Sequence, residues 1–330
     1  MSDIHQVAKE AGVSVATVSR VLNRHSSVSP KTRTRVEAVI EKLNYKPNML
    51  GRNLRSSRSS LILALIPSTS NPYYTHIVTG IENEAITNNY NIMLCTTDSN
   101  EEREDMYFEM VKHKLVDGVI SVDPSAPFHQ KILTDARYPV VLCGEFEGND
   151  MVPSVGIDNK TAAYRAVKHL ISIGHRKIAL INSNIHTASL REQGYLKALE
   201  EHNIPYNPAW VIHSDLVLQK TSQPIRELLL MKDRPTAVFA VSDTIAISTL
   251  KTIKDCGLSA PEDIAVVGFD NIEFSYMTNP SLTTISQPMK EMGEQAVRLL
   301  LHKIQSPKKK MKSIILDHEL IIRESTMQLF

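Results

Sequence analysis

The chain has 330 residues, 42% of them hydrophobic, and 37 Lys/Arg against 36 Asp/Glu, which predicts an ordinary globular protein of about two domains. No charged and apolar leader opens the sequence, the longest purely aliphatic run is Leu61 to Ile66, and Cys95, Cys143 and Cys256 include no C-x-x-C, so export, membrane anchoring, disulfide frameworks and zinc sites are not expected. The near-neutral total divides unevenly: the first 58 residues carry eleven Lys/Arg against four Asp/Glu, and such a basic head on an acidic body calls for a polyanion whose counterions it can release.

Within the head, Ile4, Val7, Ala8 and Ala11 fall at i, i+3, i+4 and i+7, one face of a first helix that Gly12 can end in the left-handed conformation. Ser14 then offers a cap to a second helix, with Val18, Val21 and Leu22 inward and Ala16, Ser19, Arg20 and Asn23 outward. Ser29-Pro30 supplies a cap and an N1 proline for a third, whose Val36, Val39, Ile40 and Leu43 repeat the spacing and whose Lys31, Arg33, Arg35 and Lys42 give a cationic exterior. Helix, glycine-containing turn and capped helix describe a helix-turn-helix module; a generic three-helix bundle has no need of this charge or of so small an outward face. Val15 and Ala16 suit close approach to a thymine methyl and Arg20 can donate twice to a guanine, so these three are the candidate base contacts. Ser14, Thr17, Ser19, Asn23 and Arg33 are the candidate phosphate contacts.

This head is expected to span residues 1–47, with 48–58 a linker holding about two turns of weak helix. Gly51 adds roughly 1 kcal/mol of helix penalty, so the segment should not fold alone.

The run Val7-Ala8, Ala11-Gly12-Val13-Ser14, Thr17-Val18-Ser19-Arg20-Val21-Leu22-Asn23 and Tyr45-x-Pro47-Asn48 resembles the lactose/galactose repressor (LacI/GalR) family of bacterial transcriptional regulators, and the match continues to the C-terminus. The resemblance implies a repressor that binds a pseudo-palindromic operator as a homodimer in the cytoplasm, associated with the nucleoid, and is switched allosterically by a sugar or related effector, with no cofactor. It also implies that the linker becomes a hinge helix on operator DNA, where Asn48 and Arg52 face the minor groove and Leu54 wedges between base steps. Gly51 departs from the alanine usual in the family.

Beyond the linker, aliphatic runs at Leu61–Ile66, Asn91–Cys95, Gly118–Val122, Val140–Cys143, Lys177–Ile181, Ala237–Val241 and Ile264–Gly268 alternate with segments of helical length, the pattern of parallel sheets covered on both faces. Two doubly wound α/β lobes follow, and the resemblance to periplasmic sugar-binding proteins adds the crossovers: a first lobe of 59–158 and 287–316, a second of 159–286 and 317–330. Ligands in such sheets bind beyond the carboxyl ends of strands. Tyr73 and Tyr74, after the first strand, could stack on a sugar or base ring or simply pack a helix start. Arg191 and Asp270 match the family's effector-binding arginine and aspartate, a donor fork and an acceptor pair suited to hydroxyl-rich ligands. Ser242, where many members have asparagine, joins the candidate effector contacts, while Leu216 stands where several place an aromatic.

No G-x-G-x-x-G, Walker loop, G-x-S-x-G or histidine metal spacing appears, so the body is read as a sensor and not an enzyme. The resemblance implies pairing through the lobes; Met292, Ala296, Leu299 and Leu300 make a stripe that is the candidate dimer face, although core packing would produce the same stripe. One subgroup of the family is controlled by a phosphorylated carrier protein and carries an aromatic-acidic pair after Gln-Pro-Met. Here Gln287-Pro288-Met289 precedes Lys290-Glu291, which favours a small effector, with Arg298 keeping the carrier protein as the alternative; a sugar-binding protein without a regulatory role is a more distant one.

Overall fold

The computed structural model describes residues 3–22, 25–45, 58–134, 137–144, 151–183, 185–213 and 218–327. The chain divides into two units, Met1–Ser59 and Ser60–Phe330. The expectations placed on Asn23, Asn48, Gly51, Arg52, Leu54 and Leu216 fall outside the described residues.

In the first unit α1 (Ile4–Glu10), α2 (Val15–Leu22) and α3 (Pro30–Lys42) enclose a core of Val7, Ala8, Ala11, Val18, Val21 and Val36. Each helix begins on a side-chain oxygen. Gln6 N donates to Asp3 Oδ1 (2.8 Å), Thr17 N to Ser14 Oγ (3.2 Å) and Thr32 N to Ser29 Oγ (3.3 Å), meeting donors that a helix start leaves without intrahelical partners. Gly12, at φ +60°, makes the turn between α1 and α2 where a Cβ would be strained.

The second unit holds two six-stranded sheets. The first comprises β1 (Leu61–Ile66), β2 (Asn91–Thr96), β3 (Gly118–Val122), β4 (Val140–Gly144), β5 (Ser154–Ile157) and, from far along the chain, β11 (Ile314–Leu316). Their order is β11-β5-β4-β3-β1-β2, all parallel. The second comprises β6 (Ile178–Asn182), β7 (Val211–His213), β8 (Ala237–Ala240), β9 (Ala265–Asp270), β10 (Thr283–Ser286) and β12 (Glu319–Ile321), ordered β12-β10-β9-β8-β6-β7, with only β12 antiparallel. The two repeat one winding scheme. In each, the first strand lies between the second and the third, so the connections leave to opposite sides and a crevice opens beyond the carboxyl ends. The chain passes between sheets after Ile157, after Ser286 and between Leu316 and Glu319.

Helices α4 (Pro72–Thr87), α5 (Glu101–Lys112), α6 (Ala126–Thr134) and α12 (Met289–Gln305) pack with the first sheet; α7 (Asn159–Ser172), α8 (His186–Glu201), α9 (Leu218–Leu229), α10 (Asp243–Asp255) and α11 (Glu273–Met277) belong with the second. Glycine brings α4 and α12 into backbone contact: a Cβ on Gly80 would lie 2.0 Å from Lys290 O and one on Gly293 2.2 Å from Ile77 O. This closeness corrects the expected dimer face. Met292, Ala296, Leu299 and Leu300 are all buried in the first-lobe core beside Ile77 and Ile81, so the stripe on α12 covers its own sheet and is not available to a second copy.

Candidate functional site

The carboxyl ends of the strands deliver the polar groups of the cleft. Arg191, one and a half turns into α8, is only 2% exposed. Its Nε donates to Asn159 Oδ1 (2.9 Å), Nη1 donates to the carbonyl of Val241 and lies 3.7 Å from Asp270 Oδ1, and the guanidinium stacks 3.8 Å from the centroid of Phe269. Asn159, just past the first passage between sheets, also donates Nδ2 to Gly144 O (3.1 Å), joining both lobes through one side chain.

Asp270 closes β9 at φ +121° and Asn271 follows at φ +60°, consecutive left-handed residues that cost strain and persist where neighbours hold them. Gln287 Nε2 donates to Asp270 Oδ1 (2.8 Å), Asn271 Nδ2 donates to Ser286 Oγ (3.0 Å), and Arg323 Nη2 donates to Asn271 Oδ1 (2.7 Å). Burial pushes the Asp270 carboxyl well above the carboxylate range, with Arg191 opposing and Asp243 adding to the rise. Asp243, at the first position of α10, accepts from Thr284 Oγ1 (2.6 Å) and Ile272 N (2.9 Å).

From the first lobe come Tyr73, Tyr74 and Asp123. The two rings pack edge to face, 5.1 Å apart, inside the first-lobe core. The Tyr74 hydroxyl bonds to Asp123, and burial first, then the Asp123 charge, raises both phenols well above their usual range; Arg191 and Asp270 act on the same hydroxyls from the other lobe. Gly144 is required here: at φ +102°, a Cβ would stand 2.6 Å from Asp123 Oδ1 and 3.2 Å from the Tyr73 hydroxyl oxygen. The lobes meet also where His129 on α6 stacks on His186 of α8 (4.4 Å, 21°) and where His76 pairs with Glu273 (2.8 Å).

Several buried polar atoms in this region have no hydrogen-bond partner: the hydroxyls of Tyr73, Ser183 and Thr187, Arg191 Nη2 and Gln287 Oε1. Such atoms are costly unless something else bonds them, and these are contributed by both lobes. The structure thus brings Arg191, Asp270, Tyr73 and Tyr74 into one neighbourhood. Ser242 has a second role: its Oγ accepts from Ile245 N (3.3 Å) as the cap of α10. Asp123, which directly follows a strand, was discoverable by the same positional rule that pointed to Asp270; Asn159 and Thr187 carry no such mark. An open concavity of about 360 Å³ between α7 and β12 presents exposed Arg165 and Lys168 in place of buried polar groups and is the weaker candidate.

On the first unit, Ala16 and Arg20 are exposed on α2, Thr17 and Ser19 are partly exposed, and Val15 is half-buried against the core, its outward role reduced. Ser14 Oγ is engaged by Thr17, and Arg33 Nη2 donates to His25 O (2.9 Å), steadying the turn before α3. Among the described residues no group of three or more His, Cys, Asp or Glu is placed to hold a metal, and no helix is long and apolar enough to cross a membrane.

Comparison with known proteins gives two family matches: "Bacterial regulatory proteins, lacI family" over residues 3–48 and "Periplasmic binding protein-like domain" over residues 167–326. The chain is 35% identical to catabolite control protein A of Priestia megaterium over 98% of each chain. It is 36% identical to the HTH-type transcriptional repressor CytR of Escherichia coli K12, over 98% of this chain and 96% of that one. Among solved structures, the lac repressor dimer bound to operator and the anti-inducer ONPF superimposes with a TM-score of 0.86 at 28% identity, covering 99% of each chain.

Proposed function

The chain belongs to the lacI family of bacterial regulatory proteins, DNA-binding transcriptional regulators, and on that basis we propose that it is a repressor that grips a pseudo-palindromic operator as a homodimer and is switched by a small hydroxyl-bearing effector, a sugar or sugar derivative, held between its lobes. The observation that carries the effector reading is the set of unpartnered buried polar atoms drawn from both lobes around Arg191 and Asp270. A ligand that bonds Tyr73 and Gln287 on one side and Arg191, Ser183 and Thr187 on the other binds the closed lobes better than open ones and so shifts that equilibrium. Val15, Ala16 and Arg20 read bases, while Ser14, Thr17, Ser19, Asn23 and Arg33 set the register on phosphates; Asn48, Arg52 and Leu54 engage the minor groove.

With the α12 stripe inside the lobe, the exposed apolar side chains of α11, Phe274, Tyr276 and Met277, support self-association instead. Arg298, the residue that keeps control by a carrier protein as the alternative, is half-exposed and pairs with Glu84 (2.8 Å) and Glu294 (3.9 Å). The test is selection of duplexes from a random palindromic library by the purified chain, followed by operator titration at fixed salt with and without candidate sugars. A repressor enriches one half-site sequence and an effector moves the titration midpoint; no enrichment at low ionic strength overturns the reading.

A further inference from the structure

We propose that the cleft, on the reading above that it is the effector site, selects neutral hydroxyl-rich ligands and discriminates against their carboxylate and phosphate counterparts, with Asp123 as the residue that sets this preference. The charges built into the walls point that way. Among the described residues Arg191 is the guanidinium of the cleft, and it is already engaged: Nε by Asn159, Nη1 by the Val241 carbonyl and by Asp270 at 3.7 Å. Only Nη2 remains for a ligand. Against it stand two buried carboxyls, Asp270 from β9 and Asp123 from the end of β3, each no more than 2% exposed. An acidic ligand would bring a negative charge into these water-poor surroundings beside Asp123, with only Arg191 Nη2 left to meet it. Asp270 already resists ionisation there, because burial outweighs the help of Arg191.

The neutral groups agree. Gln287 Oε1 can only accept, whereas the hydroxyls of Tyr73, Ser183 and Thr187 can donate or accept. A sugar or nucleoside hydroxyl satisfies both kinds of partner. A carboxylate or phosphate group offers acceptors alone, so where it stands in place of a hydroxyl against Gln287 Oε1 that oxygen loses its donor. An amine-bearing sugar fits as well as a neutral one, since it supplies donors and opposes the wall charge. The wider class of sugar derivatives, uronates included, therefore narrows to the uncharged and the basic.

Asp123 is assigned the discrimination because it is positioned, by the Tyr74 hydroxyl and the close approach of Gly144, next to the unpartnered Tyr73 hydroxyl. The test is calorimetry on the full chain at pH 7.5 with matched probes: glucose, glucuronate and glucose 6-phosphate; galactose and galacturonate; ribose and ribose 5-phosphate; cytidine and adenosine with their 5′-monophosphates. At least one neutral member should bind, its acidic counterparts should bind at least about 10-fold more weakly, and Asp123→Asn should erase most of that ratio. An acidic member binding as tightly as its neutral partner overturns the preference and leaves the effector site standing. Binding by no member overturns the effector reading itself. An unchanged ratio in Asp123→Asn removes Asp123 from its assigned role; the wild-type ratios decide the charge claim unaided, and Asp123→Ser replaces the first variant if that one does not fold.

Discussion

Burial pushes the Asp243 carboxyl up to about 7, against the hydrogen bonds from Thr284 and from the Ile272 and Asn271 backbone that favour its charged form. An unfolded aspartate titrates near 3.9, so between roughly pH 4 and pH 7 the folded chain binds more protons than the unfolded one, and stability falls as pH rises through that window. Asp243→Asn has no proton to bind and should lack this slope. Urea unfolding of both proteins from pH 5 to pH 8 checks it: the stability advantage of wild type over the variant should be largest at pH 5 and shrink toward pH 8, whereas a constant difference would mean that Asp243 ionises as easily in the fold as outside it. The carboxyl is worth this cost in place, because it ties the strained pair at Asp270 and Asn271 to the start of α10.

Elements differ in how much of their role their own residues announce. The seven aliphatic runs read as strands coincide with β1, β2, β3, β4, β6, β8 and β9, because continuous burial on two faces demands continuous apolar sequence. The strands that escaped notice, β5, β7, β10, β11 and β12, are three or four residues long, and β10 reads Thr-Thr-Ile-Ser. The apolar period of α12 was plain, but a period says which face is covered and not by what; only the backbone contact through Gly80 and Gly293 identifies the partner as α4. Gly293→Ala would place its Cβ 2.2 Å from Ile77 O and 2.8 Å from Ile81 N, atoms that move only if the helices part, so a loss of about 3 kcal/mol in urea unfolding is expected. In the cleft, the positions of Arg191 and Asp270 beyond the strand ends were legible from the residues around them, while the capping role of Ser242 was not, because a hydroxyl after a strand serves as a helix cap or a ligand contact alike. In the head, α2 exposes Arg20 one turn beyond Ala16. Arg20→Ala should cost about 1–3 kcal/mol on the selected operator and relax preference at one base pair, as read by anisotropy titrations on single-base variants; an equal loss on every sequence would make Arg20 a phosphate contact.

At the scale of the molecule, the uneven charge makes operator binding a counterion-release reaction, so any comparison of affinities has meaning only at fixed salt. Under that condition the proposal that cleft occupancy governs the grip on DNA has a thermodynamic corollary that needs no structure of the complex. If an effector changes operator affinity by some factor, operator must change effector affinity by the same factor, whichever the sign. Typical couplings of about 1–3 kcal/mol correspond to factors of roughly 5–150, well within measurement. The two arms are an operator titration with the cleft empty and saturated, and a ligand titration with the chain free and saturated with operator. Equal factors are expected, and a weaker lobe contact should cost effector affinity: His129→Ala removes the imidazole stacked across the lobes on His186, and should lower effector affinity while the two factors stay equal to each other. Unequal factors would mean that the ligand also acts outside the cleft, and equal factors with no response to His129→Ala would mean that the His129–His186 stack adds nothing to the closed state that the effector prefers.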